Sequence, residues 1–289
     1  MPESFLRPNT RIGQNFLVDK NILRVILDSS DVGPGDVVLE IGAGKGVLTE
    51  GLLKRGASLV HSLEIDRRLE PFLVEIRTRY SNLRILWGDA LKGGLPIELD
   101  PPPNKMVANI PYHITTPLIW KVLELYPPVG LRYMLLMVQK EAAEKICAPA
   151  RSKDRYPLGV TIHAMGEARI LRKVPPEAFN PSPEVTSALL EITITKGLEL
   201  PRDKVWRTLI RSAFSHRRKT LLNNLAGLLP GTRHEKAALL EKAGLSVSSR
   251  AEELELKHWS ALFEILSPLL RGGKRRQEAQ GPLPANLDE

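Results

Sequence analysis

Val37-Val38-Leu39-Glu40-Ile41-Gly42-Ala43-Gly44-Lys45-Gly46 is the stretch from which the architecture of this chain can be inferred. An apolar run, interrupted only by Glu40, leads into a glycine-rich turn, and a helical pattern follows over 47–54. Glycines let the backbone approach a ligand closely, and a helix N-terminus favours negative charge. The stretch therefore predicts a strand, a ligand-binding loop and a helix, which form the first unit of an open α/β sheet.

The spacing of the glycines indicates which ligand the loop binds. A dinucleotide fingerprint reads GxGxxG, but here the third glycine comes one position early, at Gly46, which argues against a nicotinamide dehydrogenase. A Walker A loop is excluded because Gly46 rather than Ser or Thr follows Lys45, and because Leu39 stands where the first glycine of that motif belongs. A GxGxG loop after an acidic strand end is the usual pattern of S-adenosylmethionine sites.

Strand-like and helix-like segments alternate along the first ~200 residues. The predicted strands are 37–41, 59–65, 83–87, 106–110 and 133–138, and the predicted helices between them are 47–54, 69–79 and 117–125. Such alternation indicates βαβ units and a mostly parallel sheet with both faces covered. Two later runs, 168–174 and 188–195, are expected to form an antiparallel hairpin at the sheet edge, joined by a proline-rich loop at 175–183.

The character of the chain changes after Lys196. A short linker at 198–201 is followed by helical patterns at 204–229, 232–243 and 251–270. We therefore predict a Rossmann-like α/β domain over 1–200, which binds S-adenosylmethionine, and a small all-helical domain over 201–271. Polar residues with Gly and Pro dominate 272–289, which predicts a disordered tail.

Net charge and residue content limit the class of protein. The 289 residues carry a net charge of +8. This balance favours a polyanionic partner, either nucleic acid or an anionic membrane surface, although a charge that serves only solubility is the alternative. The single cysteine, Cys147, excludes a disulfide within the chain, and the scattered histidines predict no metal site. No membrane span or apolar leader is evident, so we expect a cytoplasmic protein.

Acidic side chains follow the second and third predicted strands. Glu64 stands about twenty residues beyond Gly44, where a carboxylate can accept both ribose hydroxyls of a bound nucleoside. Asp89 ends the third strand, where it can accept from the amino group of an adenine. Each acid alone is also consistent with a helix N-cap. The glycine loop, Glu64 and Asp89 nevertheless follow three successive strands, and together they favour a nucleoside site.

Asn109-Ile110-Pro111-Tyr112 follows the fourth predicted strand. An amide, a rigid turn and an aromatic ring thus meet at the carboxyl end of a strand, where open α/β sheets place their ligands. Taken alone, the tetrapeptide is equally consistent with a strand-to-loop turn and a core tyrosine. The amides of Gln14 and Asn15 precede a first helix and would suit a bound methionine moiety, or would simply mark a helix entry capped by Asp19.

Five segments together resemble the rRNA adenine N6-dimethyltransferases. They are Gly13–Leu17, Glu40–Gly44, Gly88–Ala90, Asn109–Tyr112 and Gln139–Glu141. Three further segments are most similar to the small-subunit, kasugamycin-resistance-type enzymes, namely Ala213–Leu221, Asn223–Leu225 and the loop at 174–183. The resemblance runs in order from about Arg11 to Leu266.

The resemblance implies an enzyme that uses S-adenosylmethionine to dimethylate N6 of two adjacent adenines near the 3′ end of small-subunit rRNA. It also implies a monomer that acts on a pre-30S particle, with a catalytic domain over 1–200 and an RNA-binding helical domain over 201–271. The implied cofactor-binding residues are Gln14, Asn15, Phe16, Leu17, Gly42, Ala43, Gly44, Glu64, Ile65, Asp89, Ala90 and Asn109. The implied catalytic residues are Asn109, Ile110, Pro111, Tyr112 and Phe179, with Tyr112 and Phe179 stacking the two faces of the target base. Arg217, Arg218 and Lys219 are expected on consecutive helix positions as phosphate contacts, with a solvated basic helix as the alternative.

The chain departs from the family pattern at a few positions. Ile110 stands where Leu is usual, and His113 where Asn is frequent. Glu184 and Thr186 replace the usual Lys and Asp after the proline loop, which weakens a role for these two in RNA contact. The nearest alternative is a macrolide-resistance-type 23S rRNA dimethylase, against which the segment 214–219 argues. A non-enzymatic ribosome-assembly or organellar transcription factor is disfavoured by the intact site residues.

Overall fold

The computed structural model describes residues 7–9 and 12–278, with side chains as far as Arg271. The chain divides into two compact units. Unit 1 comprises Met1–Ala148 and Leu158–Pro201, and unit 2 comprises Pro149–Pro157 and Arg202–Glu289. The short segment Pro149–Pro157 therefore belongs to the C-terminal unit. A single boundary near residue 200 would assign it to the first unit.

Unit 1 contains strands and helices in alternation. The strands are β1 (Phe16–Leu17), β2 (Val37–Ile41), β3 (Leu59–Glu64), β4 (Leu83–Trp87), β5 (Lys105–Asn109), β6 (Tyr133–Gln139), β7 (Gly166–Val174), β8 (Phe179–Asn180) and β9 (Ser187–Ile194). The helices up to residue 165 are α1 (Lys20–Ser30), α2 (Val47–Lys54), α3 (Glu70–Arg79), α4 (Thr115–Leu125), α5 (Lys140–Cys147) and α6 (Pro157–Met165).

Seven strands form the main sheet in the order β4-β3-β2-β5-β6-β9-β7. Strand β2 pairs in parallel with β3 and β5, and the pairs β3–β4 and β5–β6 are parallel as well. Strand β9 is antiparallel to both β6 and β7. The predicted α/β sheet with an antiparallel edge hairpin is therefore confirmed. The strand order reverses at β2, so the loops after β2 and β5 diverge and leave a crevice at the carboxyl ends of the strands.

The central strands are buried on both faces. Val38 and Leu39 in β2 and Val107 in β5 have no exposed surface. Continuous apolar runs of this kind are expected when helices cover both faces of a parallel sheet. Helix α1 contributes Ile22 and Ile26, which lie on one face because they are four residues apart. Burial of each such side chain contributes about 1.5–3 kcal/mol to stability.

Gly46, the early third glycine of the loop, is required by helix packing. It is the N-cap of α2 and has a φ of +81°, a conformation that favours glycine. A Cβ atom at this position would lie 2.2 Å from Cδ1 of Ile76 in α3. The spacing that distinguishes this loop from a dinucleotide fingerprint therefore arises from the close approach of α2 and α3.

A second, two-stranded sheet was not predicted from the sequence. Strands β1 and β8 pair antiparallel, with Leu17 opposite Phe179. Directly after β1, the backbone N–H of Val18 donates to the carbonyl of Ala178 at 2.9 Å. Strands of two residues have no periodicity to detect, and the prolines around β8 indicated only a loop. The pairing fastens the N-terminal segment to the proline-rich loop.

Unit 2 contains helices joined by turns over its described residues, and it packs around aromatic side chains. Its helices are α7 (Lys204–Ala213), α8 (Leu221–Asn224), α9 (Arg233–Lys242) and α10 (Leu256–Glu278). Buried Trp206 meets Phe263 edge-on at a centroid distance of 5.7 Å, and buried Trp259 stacks on Phe214 at 5.8 Å. Such pairs contribute about 0.5–1.5 kcal/mol each beyond the area they bury. Among the helices described, none is both long enough and apolar enough to cross a membrane.

The prediction of one helix over 204–229 is wrong. Helix α7 ends at Ala213, an exposed turn follows, and α8 begins after Thr220, whose side chain caps it. The Asn224 side chain holds the turn by donating to the carbonyls of Ala213 and His216 at 2.7 and 3.1 Å. Apolar residues keep a helical spacing on both sides of the turn, and periodicity alone does not reveal the break.

The predicted disordered tail is also wrong in its first part. Helix α10 continues to Glu278, so residues 272–278 are helical, while 279–289 lie outside the described residues. The residues at 274–278 are Lys, Arg, Arg, Gln and Glu, all good helix formers. Extending an existing helix avoids the cost of nucleation. The helix therefore continues through the two glycines at 272 and 273 into residues 274–278.

Candidate functional site

A cavity of about 470 Å³ opens where β2, β3, β4 and β5 end. This volume lies within the range of small-molecule sites, about 300–1,000 Å³. The predicted residues that line the cavity are Gln14, Asn15, Phe16, Leu17, Gly42, Ala43, Gly44, Glu64, Ile65, Asp89, Ala90, Asn109, Ile110, Pro111 and Tyr112. The structure thus brings together the glycine loop, the acids and the tetrapeptide.

Glu64 fastens the glycine loop from the neighbouring strand. Its Oε2 accepts from the N–H of Gly44 at 2.8 Å, and its Oε1 accepts from the N–H groups of Ile65 and Asp66, both at 2.9 Å. A carboxylate offers roughly four acceptor positions, so one remains, on Oε2, for a ligand hydroxyl. Burial raises the pKa of the Glu64 carboxyl, and the three N–H groups oppose that rise.

Glu40 is buried in β2 and joins that strand to α2 and β3. Its Oε2 accepts from the hydroxyls of Thr49 and Ser62 at 2.6 and 2.7 Å, whereas its Oε1 is buried without a hydrogen-bond partner. Burial raises the pKa of this carboxyl to about 7, and the nearby charge of Glu64 acts in the same direction. A buried carboxylate with one unpaired oxygen is destabilising, so the protonated form of Glu40 suits the folded state better.

Replacing Glu40 by glutamine is expected to flatten the pH dependence of stability. Folded Glu40 keeps its proton up to a pH of about 7, whereas the unfolded chain releases it near 4.5, so the folded state holds more protons between these values. The free energy of unfolding therefore falls as pH rises through this window, by at most about 3 kcal/mol from this group. Urea unfolding near pH 5 and near pH 8 measures the fall. An equal fall in Glu40→Gln and the wild type would contradict the assignment.

The loop after β4 presents Asp89 to the cavity. Its Oδ1 accepts from the N–H of Leu91 at 2.8 Å, whereas its Oδ2 lies 4.0 Å from the Lys92 ammonium and retains capacity for a ligand amino group. The helix-cap and ligand interpretations of this acid are therefore compatible. Lys121 of α4 supports the same loop by donating to the carbonyls of Ala90 and Leu91 at 2.7 and 3.2 Å. Sequence reasoning missed Lys121 because a lysine in an amphipathic helix carries no signal of its own.

Asn109 ends β5 with its side chain in the cavity wall. Its Nδ2 donates to the carbonyl of Asn15 at 3.1 Å, which directs Oδ1 away from that carbonyl. The N–H of Ile110 donates to the carbonyl of Met137 at 3.1 Å and fixes the next peptide against β6. The tetrapeptide is thus a strand-to-loop turn that also holds a side-chain acceptor in a defined orientation.

The two aromatic residues predicted to stack a base lie in different surroundings. Tyr112 lines the cavity, and its hydroxyl is 2.6 Å from Oγ of Ser187. Phe179 is only 3% exposed and belongs to a core cluster with Leu189. Side chains alternate along a strand, and Asn180 takes the cavity side of β8. Phe179 therefore does not line the cavity, and its role in stacking the base stays a prediction.

The segment 12–18 covers one side of the cavity. Gln14 uses both ends of its amide in protein contacts, because Oε1 accepts from the N–H of Asn9 at 2.7 Å and Nε2 donates to Oδ2 of Asp66 at 2.9 Å. It fastens the segment to the loop after β3. The Lys45 ammonium lies 5.6 Å from the centroid of the Phe16 ring, within the range of a cation–π interaction. Lys45 belongs to the glycine loop and was not predicted as a site residue.

The basic residues predicted on a helix lie in the turn between α7 and α8. Arg217, Arg218 and Lys219 are all exposed there, so their predicted helical placement is wrong. The Arg217 guanidinium donates to the carbonyl of Lys153 and ties the turn to Pro149–Pro157 within unit 2. Arg218 and Lys219 present their charge to solvent.

The lining residues that sequence reasoning missed are mostly glycine or apolar. They are Ile12, Gly13, Val18, Ile41, Lys45, Val47, Leu48, Leu63, Gly88, Leu91, Lys92, His113, Ile114 and Asn180. Most are direct neighbours of predicted residues, so adjacency was the available signal. His113, which departs from the family pattern, packs against Gly13, where a Cβ would lie 3.1 Å from its Nδ1.

Comparisons with known proteins agree with this geometry. A family model described as ribosomal RNA adenine dimethylase matches residues 6–267. The chain is 37% identical over 268 residues to the ribosomal RNA small subunit methyltransferase A of Geobacillus kaustophilus, which covers 89% of this chain and 90% of that protein. It is similar to the crystal structure of a dimethyladenosine transferase from Plasmodium falciparum, with a TM-score of 0.71, 28% identity and coverage of 90% and 98% of the two chains. It is also similar to the 23S rRNA methyltransferase ErmE, with a TM-score of 0.64, 27% identity and coverage of 88% and 100%. The chain therefore belongs to the ribosomal RNA adenine dimethylase family and is an S-adenosylmethionine-dependent methyltransferase.

Proposed function

We propose that this enzyme dimethylates N6 of two adjacent adenines near the 3′ end of small-subunit rRNA, within a pre-30S particle. The observation that carries the proposal is the position of the Asn109 amide in the same cavity as the glycine loop, Glu64 and Asp89. The small-subunit substrate is supported by the similarity to the Geobacillus kaustophilus protein and by the segment 214–219. We further propose a monomeric enzyme that works in the cytoplasm, where ribosomal particles assemble.

The lining residues fit S-adenosylmethionine as the cofactor. Glu64 retains one acceptor position for a ribose hydroxyl, and Asp89 retains Oδ2 for an adenine amino group. The glycine loop brings backbone N–H groups close to the ligand at the start of α2. When bound, S-adenosylmethionine supplies an electrophilic methyl group on a sulfonium.

The tetrapeptide orients the target amine. The N6 lone pair of adenine is delocalised into the ring, so the amine is a weak nucleophile in its planar form. Oδ1 of Asn109 and the carbonyl of Ile110 accept the two amino hydrogens and favour a pyramidal nitrogen aimed at the methyl group. This is largely a positioning effect and requires no strong base before attack. Tyr112 stacks the extruded base, a contact that contributes about 1–3 kcal/mol.

The assay that tests the proposal uses labelled S-adenosylmethionine and under-methylated 30S particles. Mapping the label to dimethyladenosine at two adjacent positions near the 3′ end of small-subunit rRNA is the expected result. Label on naked 23S rRNA with none on 30S particles would favour the macrolide-resistance-type alternative. Absence of transfer to either RNA would refute the proposal.

The exposed turn between α7 and α8 is proposed to contact rRNA phosphates through Arg218 and Lys219. The double variant Arg218→Ala/Lys219→Ala is expected to flatten the plot of log affinity against log salt by about 0.7–0.9 per lost phosphate contact. Lys242→Ala, which removes an exposed charge at the end of α9, is the matched control. RNA binding measured over a range of salt concentrations tests this, and an unchanged slope in the double variant would remove the turn from the interface.

A further inference from the structure

Asn15 lies at the junction of three elements of unit 1. Its carbonyl accepts from Nδ2 of Asn109 at 3.1 Å. In the orientation that satisfies both ends of its own amide, its side-chain nitrogen donates to the carbonyl of Pro181 at 3.1 Å and to that of Gln14 at 3.3 Å. Strand β1 begins at the next residue and pairs with β8. Asn15 thus joins the catalytic acceptor to the proline-rich loop.

The orientation of the Asn109 amide decides whether it can act as an acceptor. A half-turn of a side-chain amide exchanges its oxygen and nitrogen with almost no change of shape. If Nδ2 faced the target amine, two donors would oppose each other and the amine would not be held. A backbone carbonyl accepts hydrogen bonds and cannot donate them, so the Asn15 carbonyl pairs only with Nδ2 and selects the orientation in which Oδ1 faces the other way.

Backbone pairing holds the residues that follow Asn15. The N–H groups of Val18 and Asp19 donate to the carbonyl of Ala178 at 2.9 and 3.2 Å, beyond the paired residues of β1 and β8. On the other side, Asn109 ends a strand whose preceding residues are buried. The donor therefore lies at the end of a paired strand, whereas the acceptor, Asn15, immediately precedes β1 and lies outside its backbone pairing.

We infer that Asn15 is a positioning residue for Asn109: its carbonyl selects the productive orientation of the Asn109 amide, and its side chain anchors that carbonyl to the proline-rich loop at Pro181. The inference rests on the proposed function, because it assigns Oδ1 of Asn109 to the target amine. It differs from the role expected from the sequence, in which the Asn15 amide serves the cofactor.

Asn15→Ala separates the two roles when rate and cofactor affinity are measured together. The single-turnover rate on under-methylated 30S particles, at saturating S-adenosylmethionine, is expected to fall about 10- to 100-fold because the acceptor is misplaced. The Kd of S-adenosylmethionine, measured by calorimetry, is expected to change less than about twofold, because the side chain acts on Asn109 and not on the cofactor. Asn21→Ala, an exposed position on α1, is the matched control and should alter neither value.

A double-mutant cycle tests whether Asn15 acts through Asn109. Asn109→Asp keeps a side-chain oxygen but offers no donor to the Asn15 carbonyl. Adding Asn15→Ala to this variant should cause no further loss of rate, because the hydrogen bond is already absent; such non-additivity identifies residues that act as one unit. Additive losses would overturn the inference.

The remaining outcomes are also decisive. A weaker Kd with an unchanged rate would assign Asn15 to the cofactor, and an unchanged rate and Kd would remove it from the machinery; either result overturns the inference. Inactivity of the wild-type enzyme on the same particles would instead refute the proposed function. If Asn15→Ala does not fold, the same rate and Kd are measured for Asn15→Ser. This variant keeps one donor toward Pro181, so its expected loss of rate is smaller.

Discussion

Asn109→Ala is expected to lower the rate of methyl transfer by on the order of 10²-fold or more, because the target amine loses the acceptor that aims it at the methyl group. The Kd of S-adenosylmethionine should remain close to that of the wild type, since Glu64, Asp89 and the glycine loop are unchanged. Single-turnover kinetics on under-methylated 30S particles and calorimetry with the cofactor measure the two quantities separately.

The control for Asn109→Ala is a substitution of similar size outside the cavity. Asn82→Ala removes an amide that donates to the carbonyl of Ala57 at 2.7 Å, away from the cavity wall. It should affect stability more than the rate. Rates near the wild-type value in Asn109→Ala would eliminate the amine-orienting role and with it the proposed mechanism.

Glu64→Ala is expected to weaken S-adenosylmethionine binding by about 10- to 100-fold. A hydrogen bond to a charged group contributes about 1.5–3 kcal/mol, and about 1.4 kcal/mol corresponds to a tenfold change in Kd. The variant also removes the acceptor of the Gly44, Ile65 and Asp66 N–H groups, so the thermal midpoint should fall as well.

A carboxylate outside the site provides the comparison for Glu64→Ala. Glu98→Ala changes the net charge equally at an exposed position and should leave cofactor affinity unchanged. Calorimetric titration of both variants with S-adenosylmethionine gives the two Kd values. A Kd of the Glu64 variant within about twofold of that of Glu98→Ala would show that the free position on Oε2 takes no ligand hydroxyl.

The main sheet was predictable because its signals are local and repeated. Strand β2 was predicted over the range it occupies, 37–41, and β5 lies within one residue of the predicted 106–110. Continuous apolar runs between helical patterns suffice for a parallel sheet. The turn after α7 was not predictable in the same way, because the side chain that stabilises it, Asn224, lies beyond the turn in the next helix.

The candidate site was predictable where a polar residue stands at the end of a predicted strand. Glu64 and Asn109 line the cavity as expected from their places after β3 and β5. The orientation of Asn109 was not predictable, because its partner is a backbone carbonyl 94 positions away in the sequence. The position of Phe179 was missed for a related reason: the direction of a side chain on a two-residue strand depends on register, which the sequence of a proline-rich loop does not encode.

The segment Pro149–Pro157 limits how unit 2 can be exchanged between relatives. The N–H of Arg151 donates to the carbonyl of Glu252 at 2.8 Å, and Arg217 donates to the carbonyl of Lys153. A single crossover near residue 201 would combine this segment from one parent with helices from another. Recombinants that take the whole of unit 2 from one parent therefore need two coordinated exchanges, one at residues 149–157 and one after residue 201.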